Sequence, residues 1–212
     1  MAHVVVFTFN PFQENTYLIY DDTKECVLFD PGCYSDMEKS TLAGFIAEKG
    51  LTPVRLINTH CHLDHIFGNS FVAEKYGLDL EIHEGEQVVL AHAPEASRMY
   101  GIPMETSPVA KRFIEEGEEI RFGETRLKAI LTPGHSPASL SFFCEEHRFI
   151  IAGDVLFAGS IGRTDLPGGD FDTLIDSITQ KLLPLGDDVT VYPGHGPETT
   201  IGQEKVSNPF LQ

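Results

Sequence analysis

Positive charge is scarce in this chain. Across 212 residues, 15 Lys and Arg stand against 32 Asp and Glu, giving a formal net charge of −17. No run of five basic residues occurs. Nucleic-acid backbones are held by clustered Lys and Arg, so a nucleic acid is excluded as the main partner. The acidity serves solubility. Long apolar runs are also missing, and nothing approaches the ~18 residues of a membrane span, so no membrane partner is expected. The N-terminus, Met1-Ala2-His3-Val4-Val5-Val6, has neither the basic region nor the apolar stretch of a signal peptide. The four cysteines, Cys26, Cys33, Cys61 and Cys144, form no Cys-x-x-Cys pair. Together these absences predict a cytoplasmic protein with reduced thiols. Low-complexity segments are absent too, and the length suits one domain spanning 1–212.

What is present is a series of short elements separated by turn residues. Val4–Phe9, Thr16–Tyr20 and Cys26–Phe29 read as strands. Ser35 and Glu38 form a capping box for a helix that Gly50 closes. Val54–Asn58 reads as a strand, and Asn69–Tyr76 as a helix ended by Gly77. Leu80–Ile82 is a short strand, and Glu84–Ala91 a helix. With Pro94, Pro103 and Pro108, the stretch 93–111 reads as an irregular loop or lid. Hairpins follow at Glu119–Leu131 and Leu140–Ala152. A helix is expected over Phe171–Leu183, a strand at Val189–Tyr192 and a weak helix over Glu198–Val206. Strands precede helices twice. That order predicts an α+β layered sandwich, two mixed sheets with helices outside, over a doubly wound parallel sheet.

Chemistry concentrates at the strand ends. Thr59-His60-Cys61-His62-Leu63-Asp64-His65 holds His60, His62, Asp64 and His65 within six positions. His135 lies in Thr132-Pro133-Gly134-His135, Asp154 in Ala152-Gly153-Asp154, and His195 in Pro193-Gly194-His195-Gly196. All seven are nitrogen or oxygen donors, which suit zinc first, or iron or manganese. Seven are too many for one tetrahedral ion and fit two divalent ions sharing a bridging carboxylate. Side chains alternate along an extended backbone, so His60 and His62 face one way and Cys61 the other. Asp64 and His65 lie past the bend and can face a second ion. Two ions with open positions point to activated water, and so to hydrolysis.

These motifs, in this order and with Asp30 of Asp30-Pro31-Gly32 as the first, resemble the metallo-β-lactamase superfamily. The resemblance covers essentially the whole chain and implies a four-layer αββα sandwich with the metals at one edge. It implies His60, His62 and His135 on the first ion and Asp64, His65 and His195 on the second, with Asp154 between. Asp30 would brace the histidine loop by hydrogen bonds, and it also suits the turn before Pro31.

Gly162-Arg163-Thr164-Asp165, the run Leu182–Thr190 and the closing Asn208-Pro209-Phe210-Leu211-Gln212 look like the short single-domain branch of glyoxalase II. Its activity is hydroxyacylglutathione hydrolysis. The two-domain branch has a C-terminal helical domain that helps hold glutathione, and this sequence departs from that pattern. The implied reaction is hydrolysis of a small acyl thioester of the S-lactoylglutathione type. The two ions would supply an activated water for attack on the carbonyl, and Asp64 would orient that water or take its proton. Arg163 is the candidate for a substrate carboxylate, with an ion pair to Asp165 or Asp170 as its structural alternative.

The chain also resembles the persulfide dioxygenases in Thr-His-Cys-His-x-Asp-His and Gly-Arg-Thr-Asp. That likeness implies one iron on His60, His135 and Asp154. Pro193-Gly194-His195-Gly196 and the C-terminal run favour the hydrolase branch. A lactonase-type hydrolase is a further alternative. A β-lactamase is disfavoured by the Asp64-His65 pair and by the missing secretion signal.

Overall fold

Valine, threonine and aromatic residues crowd the first twenty positions, and they pair as strands because branched and aromatic side chains suit a pleated surface. The computed structural model describes residues 1–212. Strand β1 (His3–Phe9) runs antiparallel to β2 (Glu14–Tyr20), and β2 antiparallel to β3 (Glu25–Phe29). The pairing then turns parallel, with β4 (Thr52–Ile57) beside β3, β5 (Leu80–Ile82) beside β4 and β6 (Ala110–Phe113) beside β5. Parallel neighbours need crossovers. Helices α1 (Asp36–Lys49), α2 (Asn69–Tyr76) and α3 (Gln87–Tyr100) supply them. Phe29 and Ile57 are register partners. Asp30 and the histidine run therefore leave the sheet side by side, at the carboxyl ends where open sheets place their sites.

The capping box of α1 is formed, with Glu38 N–H donating to Ser35 Oγ and Ser35 N–H to Glu38 Oε2. Residues 93–111 differ from expectation. Instead of an irregular lid, α3 passes through Pro94 and continues to Tyr100. The proline forfeits one backbone hydrogen bond, but Ala91, Ala93 and Ala96 around it are strong helix formers. Gly101, at φ 67°, caps the end by donating to the carbonyls of Arg98 and Ser97. Irregular backbone is left at 102–109, ahead of β6.

The chain groups into two compact units, Met1–Ile114 with Arg121–Thr125, and Glu115–Ile120 with Arg126–Gln212. The second sheet runs in the order β14-β13-β10-β9-β8-β7. Its strands are β7 (Glu119–Phe122), β8 (Thr125–Leu131), β9 (Leu140–Cys144), β10 (Phe149–Gly153), β13 (Thr190–Pro193) and β14 (Thr199–Thr200). Two strands unforeseen in the sequence, β11 (Leu156–Phe157) and β12 (Ser160–Ile161), make a small hairpin after β10. Helix α4 (Phe171–Asp176) widens into a π-helical turn at Ser177–Leu182, so the expected single helix changes pitch. Leu174, Ile178 and Leu182 of this segment stay buried. Helix α5 (Ile201–Ser207) starts later than expected because Thr200 is its cap, its hydroxyl accepting from Gln203 N–H. No helix is long and apolar enough to cross a membrane.

Asp21 explains why Arg121–Thr125 groups with the first unit. Its carboxylate accepts from the N–H and hydroxyl of Thr23, the N–H of Glu124, and the N–H and hydroxyl of Thr125. Burial works to raise its pKa, but the donors of Thr23, Thr125 and Glu124 outweigh burial and hold it at about 2. A folded pKa below the ordinary 3.8 means the stabilisation is present above 3.8 and is lost as pH falls towards 2. Asp21→Ala is expected to cost about 2 kcal/mol at neutral pH. In urea titrations, the gap to wild type should narrow steadily as the pH is lowered from 4 to 2. A gap independent of pH would contradict the assignment.

Candidate metal centre

In the first unit, Asp30 organises the donors. It has φ 48°, a left-handed conformation that aspartate tolerates better than most residues. Its side chain holds it there. Oδ1 accepts from Thr59 N–H at 2.6 Å and from the Asn58 amide at 3.3 Å. Oδ2 accepts from the Thr59 hydroxyl at 2.6 Å and from His65 Nδ1 at 3.1 Å. The Thr59 proton is thus committed to Asp30, and towards His60 Nδ1, 3.0 Å away, its oxygen can only accept. Both His60 and His65 therefore carry their proton on Nδ1, which leaves Nε2 as the lone-pair nitrogen of each ring. Ligating imidazoles are prepared in this way. Asp30, His60 and His65 each offer a ligand atom within 4.8 Å of one another. Asp30 already spends both oxygens on hydrogen bonds and so acts as the brace.

The His60 and His62 rings are neighbours, 4.8 Å between centroids and nearly perpendicular. Cys61 is buried, and its N–H donates to Glu86 Oε2 at 2.9 Å. The bend beyond His62 is a 3-10 turn, with His65 N–H donating to the His62 carbonyl. It carries Asp64, whose Oδ2 lies 3.8 Å from His65 Nε2. Asn10 clamps this turn, donating from its amide to the carbonyls of Asp64 and Gly32, 3.0 Å each.

Sequence reasoning missed several of these supports. Asn58 donates to the His65 carbonyl and accepts from Asn69. Glu86 pins the backbone between the two histidines. Glu14 is wholly buried, accepts from the Thr16 hydroxyl, and has its carboxyl pushed well above the usual range by burial. Thr59, directly before His60, carried the one available signal, a hydroxyl beside a candidate ligand. Three of the four remaining histidines serve locally. His3 stacks on Tyr20, His83 Nδ1 accepts from Gly85 N–H, and His92 Nδ1 donates to the Val88 carbonyl.

In the second unit, His135 hangs from the loop after β8. Gly134 has φ 126°, and a Cβ there would overlap the Leu174 backbone, so only glycine fits. The helix steadies this loop through Ser177 Oγ donating to the Pro133 carbonyl and Asp170 N–H donating to that of Gly134. His135 Nδ1 donates to the Arg163 carbonyl at 2.7 Å, which again leaves Nε2 as the lone-pair nitrogen. Asp154 follows β10, and its Oδ2 lies 3.5 Å from His135 Nε2 and 3.6 Å from His195 Nε2. A carboxylate oxygen almost equidistant from two imidazole nitrogens suits a bridge between cations. His195, after β13, is 28% exposed and the most open of the three.

The Arg163 guanidinium forks onto Asp165, with both contacts at 2.7 Å, and holds that carboxyl at about 2. The ion-pair alternative is therefore what the side chain does here. The backbone carbonyl of Arg163, which no side-chain pattern could reveal, is what serves His135.

Imidazole nitrogens with fixed tautomers and carboxylates at strand ends could hold metal ions, and the chain is a metallo-hydrolase. A family model for the metallo-β-lactamase superfamily matches residues 9–195, and the chain belongs to that superfamily and has its α+β sandwich fold. It is 38% identical over 211 residues to the hydroxyacylglutathione hydrolase GloC of Haemophilus influenzae, spanning 99% of this chain and 98% of that one. The solved structure of BLEG-1 B3 metallo-β-lactamase matches with a TM-score of 0.90 at 38% identity, covering both chains fully. That of TTHA1623 in a di-iron-bound form matches with a TM-score of 0.88 at 36% identity, covering 98% of this chain and 100% of that one.

Proposed function

We propose that this chain hydrolyses a small acyl thioester of the S-lactoylglutathione type. In this reading its two units act as one domain, 1–212. His60, His62 and His135 hold one divalent ion, Asp64, His65 and His195 a second, and Asp154 spans the two. The observation that carries the reading is the set of fixed tautomers. Asp30 and Thr59 on one side, and the Arg163 carbonyl on the other, keep the protons of His60, His65 and His135 on Nδ1. Zinc is the first expectation, and iron or manganese suits the same donors.

Two such ions would lower the pKa of a water from ~15.7 towards ~7 and polarise the substrate carbonyl. Asp64 stands at the bend between the ligands and orients the attacking water or takes its proton. The departing thiolate is a good leaving group, so no strong general acid is required. Likeness to GloC supports the thioester reading.

Arg163 takes a substrate carboxylate by exchanging it for Asp165, since a guanidinium fork fits either. Arg163→Ala is expected to raise KM roughly 10-fold with kcat little changed, the signature of a lost uniform binding contact. Unchanged steady-state constants would confine Arg163 to its ion pair.

Likeness to BLEG-1 favours a second reading, β-lactam hydrolysis. Purified, metal-quantified protein should be offered S-D-lactoylglutathione, a chromogenic cephalosporin and, under oxygen monitoring, glutathione persulfide. The value of kcat/KM should be highest for the thioester. A higher value for the cephalosporin, or oxygen uptake exceeding hydrolysis, would overturn it.

A further inference from the structure

The three donors of the second unit share a neighbour that the proposed chemistry leaves unused. The hairpin of β11 and β12 spans Leu156–Ile161 and stands between Asp154 and Gly162. One foot carries Asp154. The other is Gly162, where a Cβ would overlap the Asp154 carbonyl oxygen and crowd His135 Cβ. The next residue, Arg163, holds His135 Nδ1. On the hairpin itself, the Phe157 ring meets the His195 ring edge-on at 6.4 Å. Asp154, His135 and His195 are thus all set against this one small element.

Its tip is held from α5. Glu204 Oε2 accepts from Gly159 N–H at 2.8 Å and from the Asn208 amide at 2.8 Å. That amide also donates to the Ser160 carbonyl at 2.9 Å. Glu204 Oε1 accepts from the Thr199 hydroxyl at 2.6 Å. Thr199 is the register partner of Val191, on the strand that leads to His195. One buried carboxylate therefore grips the hairpin and also the strand that follows the His195 loop. Glu204 and Asn208 are both fully buried. A carboxylate set among neutral donors is a costly way to fill space, and an apolar side chain would fill it more cheaply. Directional grip is what the carboxylate adds.

We propose that Glu204 and Asn208 are positioning residues for the metal centre. They form a buried clasp through which the C-terminal helix sets the β11–β12 hairpin, and with it Asp154, His135 and His195. The proposal rests on the metal-centre reading above. It gives a use to the closing Asn208-Pro209 run, which the hydrolytic chemistry does not otherwise employ.

The test uses full-length Glu204→Gln and Asn208→Ala beside wild type. In Glu204→Gln an amide nitrogen replaces one acceptor and faces a donor. Asn208→Ala removes the Ser160 link and is the gentler change should the first variant fold poorly. Metal affinity is read by competition with a chromophoric chelator, ligand geometry from the visible spectrum of the cobalt-substituted protein, and stability by thermal melting. Binding of at least one ion should weaken roughly 10–100-fold, the usual cost of losing a partner that orients a ligand. The cobalt spectrum should change with it. A lower Tm with unchanged metal affinity and an unchanged cobalt spectrum in both variants overturns the clasp and leaves the metal centre standing. A wild-type chain that takes up no ion overturns both.

Discussion

Asp154→Asn should retain the fold, bind fewer than two ions per chain, and lose at least about 10³-fold in kcat/KM, well beyond the ~10–100-fold cost of losing a hydrogen-bond partner of a ligand. The expectation follows from where the carboxylate sits. Its Oδ2 is 3.5 Å from one imidazole nitrogen and 3.6 Å from another, at the end of a strand that fixes its backbone. An amide of the same shape has no charge to place between two cations, and one of its two heads is a donor that repels them. The substitution adds no volume, so packing around Ala152 and Val155 is undisturbed. Metal analysis after dialysis and steady-state kinetics read the two effects separately. Two tightly held ions in Asp154→Asn would remove Asp154 from the bridge.

The second large effect belongs to a residue outside the seven proposed ligands. Asp30→Asn should weaken metal binding roughly 10–100-fold. The carboxylate accepts from Thr59 N–H, the Thr59 hydroxyl, the Asn58 amide and His65 Nδ1. An asparagine can accept on one side alone, so either the Thr59 backbone or the pair of Thr59 hydroxyl and His65 ring meets another donor. If it is the latter, His65 gains by moving its proton to Nε2, the nitrogen that must stay bare to ligate. The Thr59 hydroxyl is also freed to turn towards His60 Nδ1. Nitrogen-15 chemical shifts of the imidazoles report this tautomer change directly, in the protein without metal. An Nδ1-protonated His65 and unchanged metal affinity in Asp30→Asn would show that the brace is a turn former only.

Short-range chemistry was legible in the sequence, and long-range support was not. The capping box of Ser35 and Glu38, the span of α2 and the Gly caps are set by residues within a few positions of one another. The seven candidate donors stand out in the sequence because each sits in a compact motif at a strand end. Pro94 misled because a proline weighs heavily in a local reading, whereas three nearby alanines and the Gly101 cap decide the outcome together. The β11–β12 hairpin has strands of two residues each, too short for any period to show. The braces lie far apart in the chain. Thr59 and Asp30 are 29 residues apart, Cys61 and Glu86 25, Asp21 and Thr125 104. Nothing in the spacing of such pairs marks them. Arg163 shows the same limit in another form, since its side chain drew notice while its carbonyl positions His135.

The central claim is a dinuclear thioester hydrolase, and one titration tests it most directly. Metal-free protein receives zinc in measured steps while hydrolysis of S-D-lactoylglutathione is followed, with His62→Ala in parallel. Activity should climb until two equivalents are bound and then level off, with His62→Ala saturating at fewer ions and turning over little substrate. A wild-type chain carrying two ions that leaves the thioester intact would contradict the account, and so would full activity in His62→Ala.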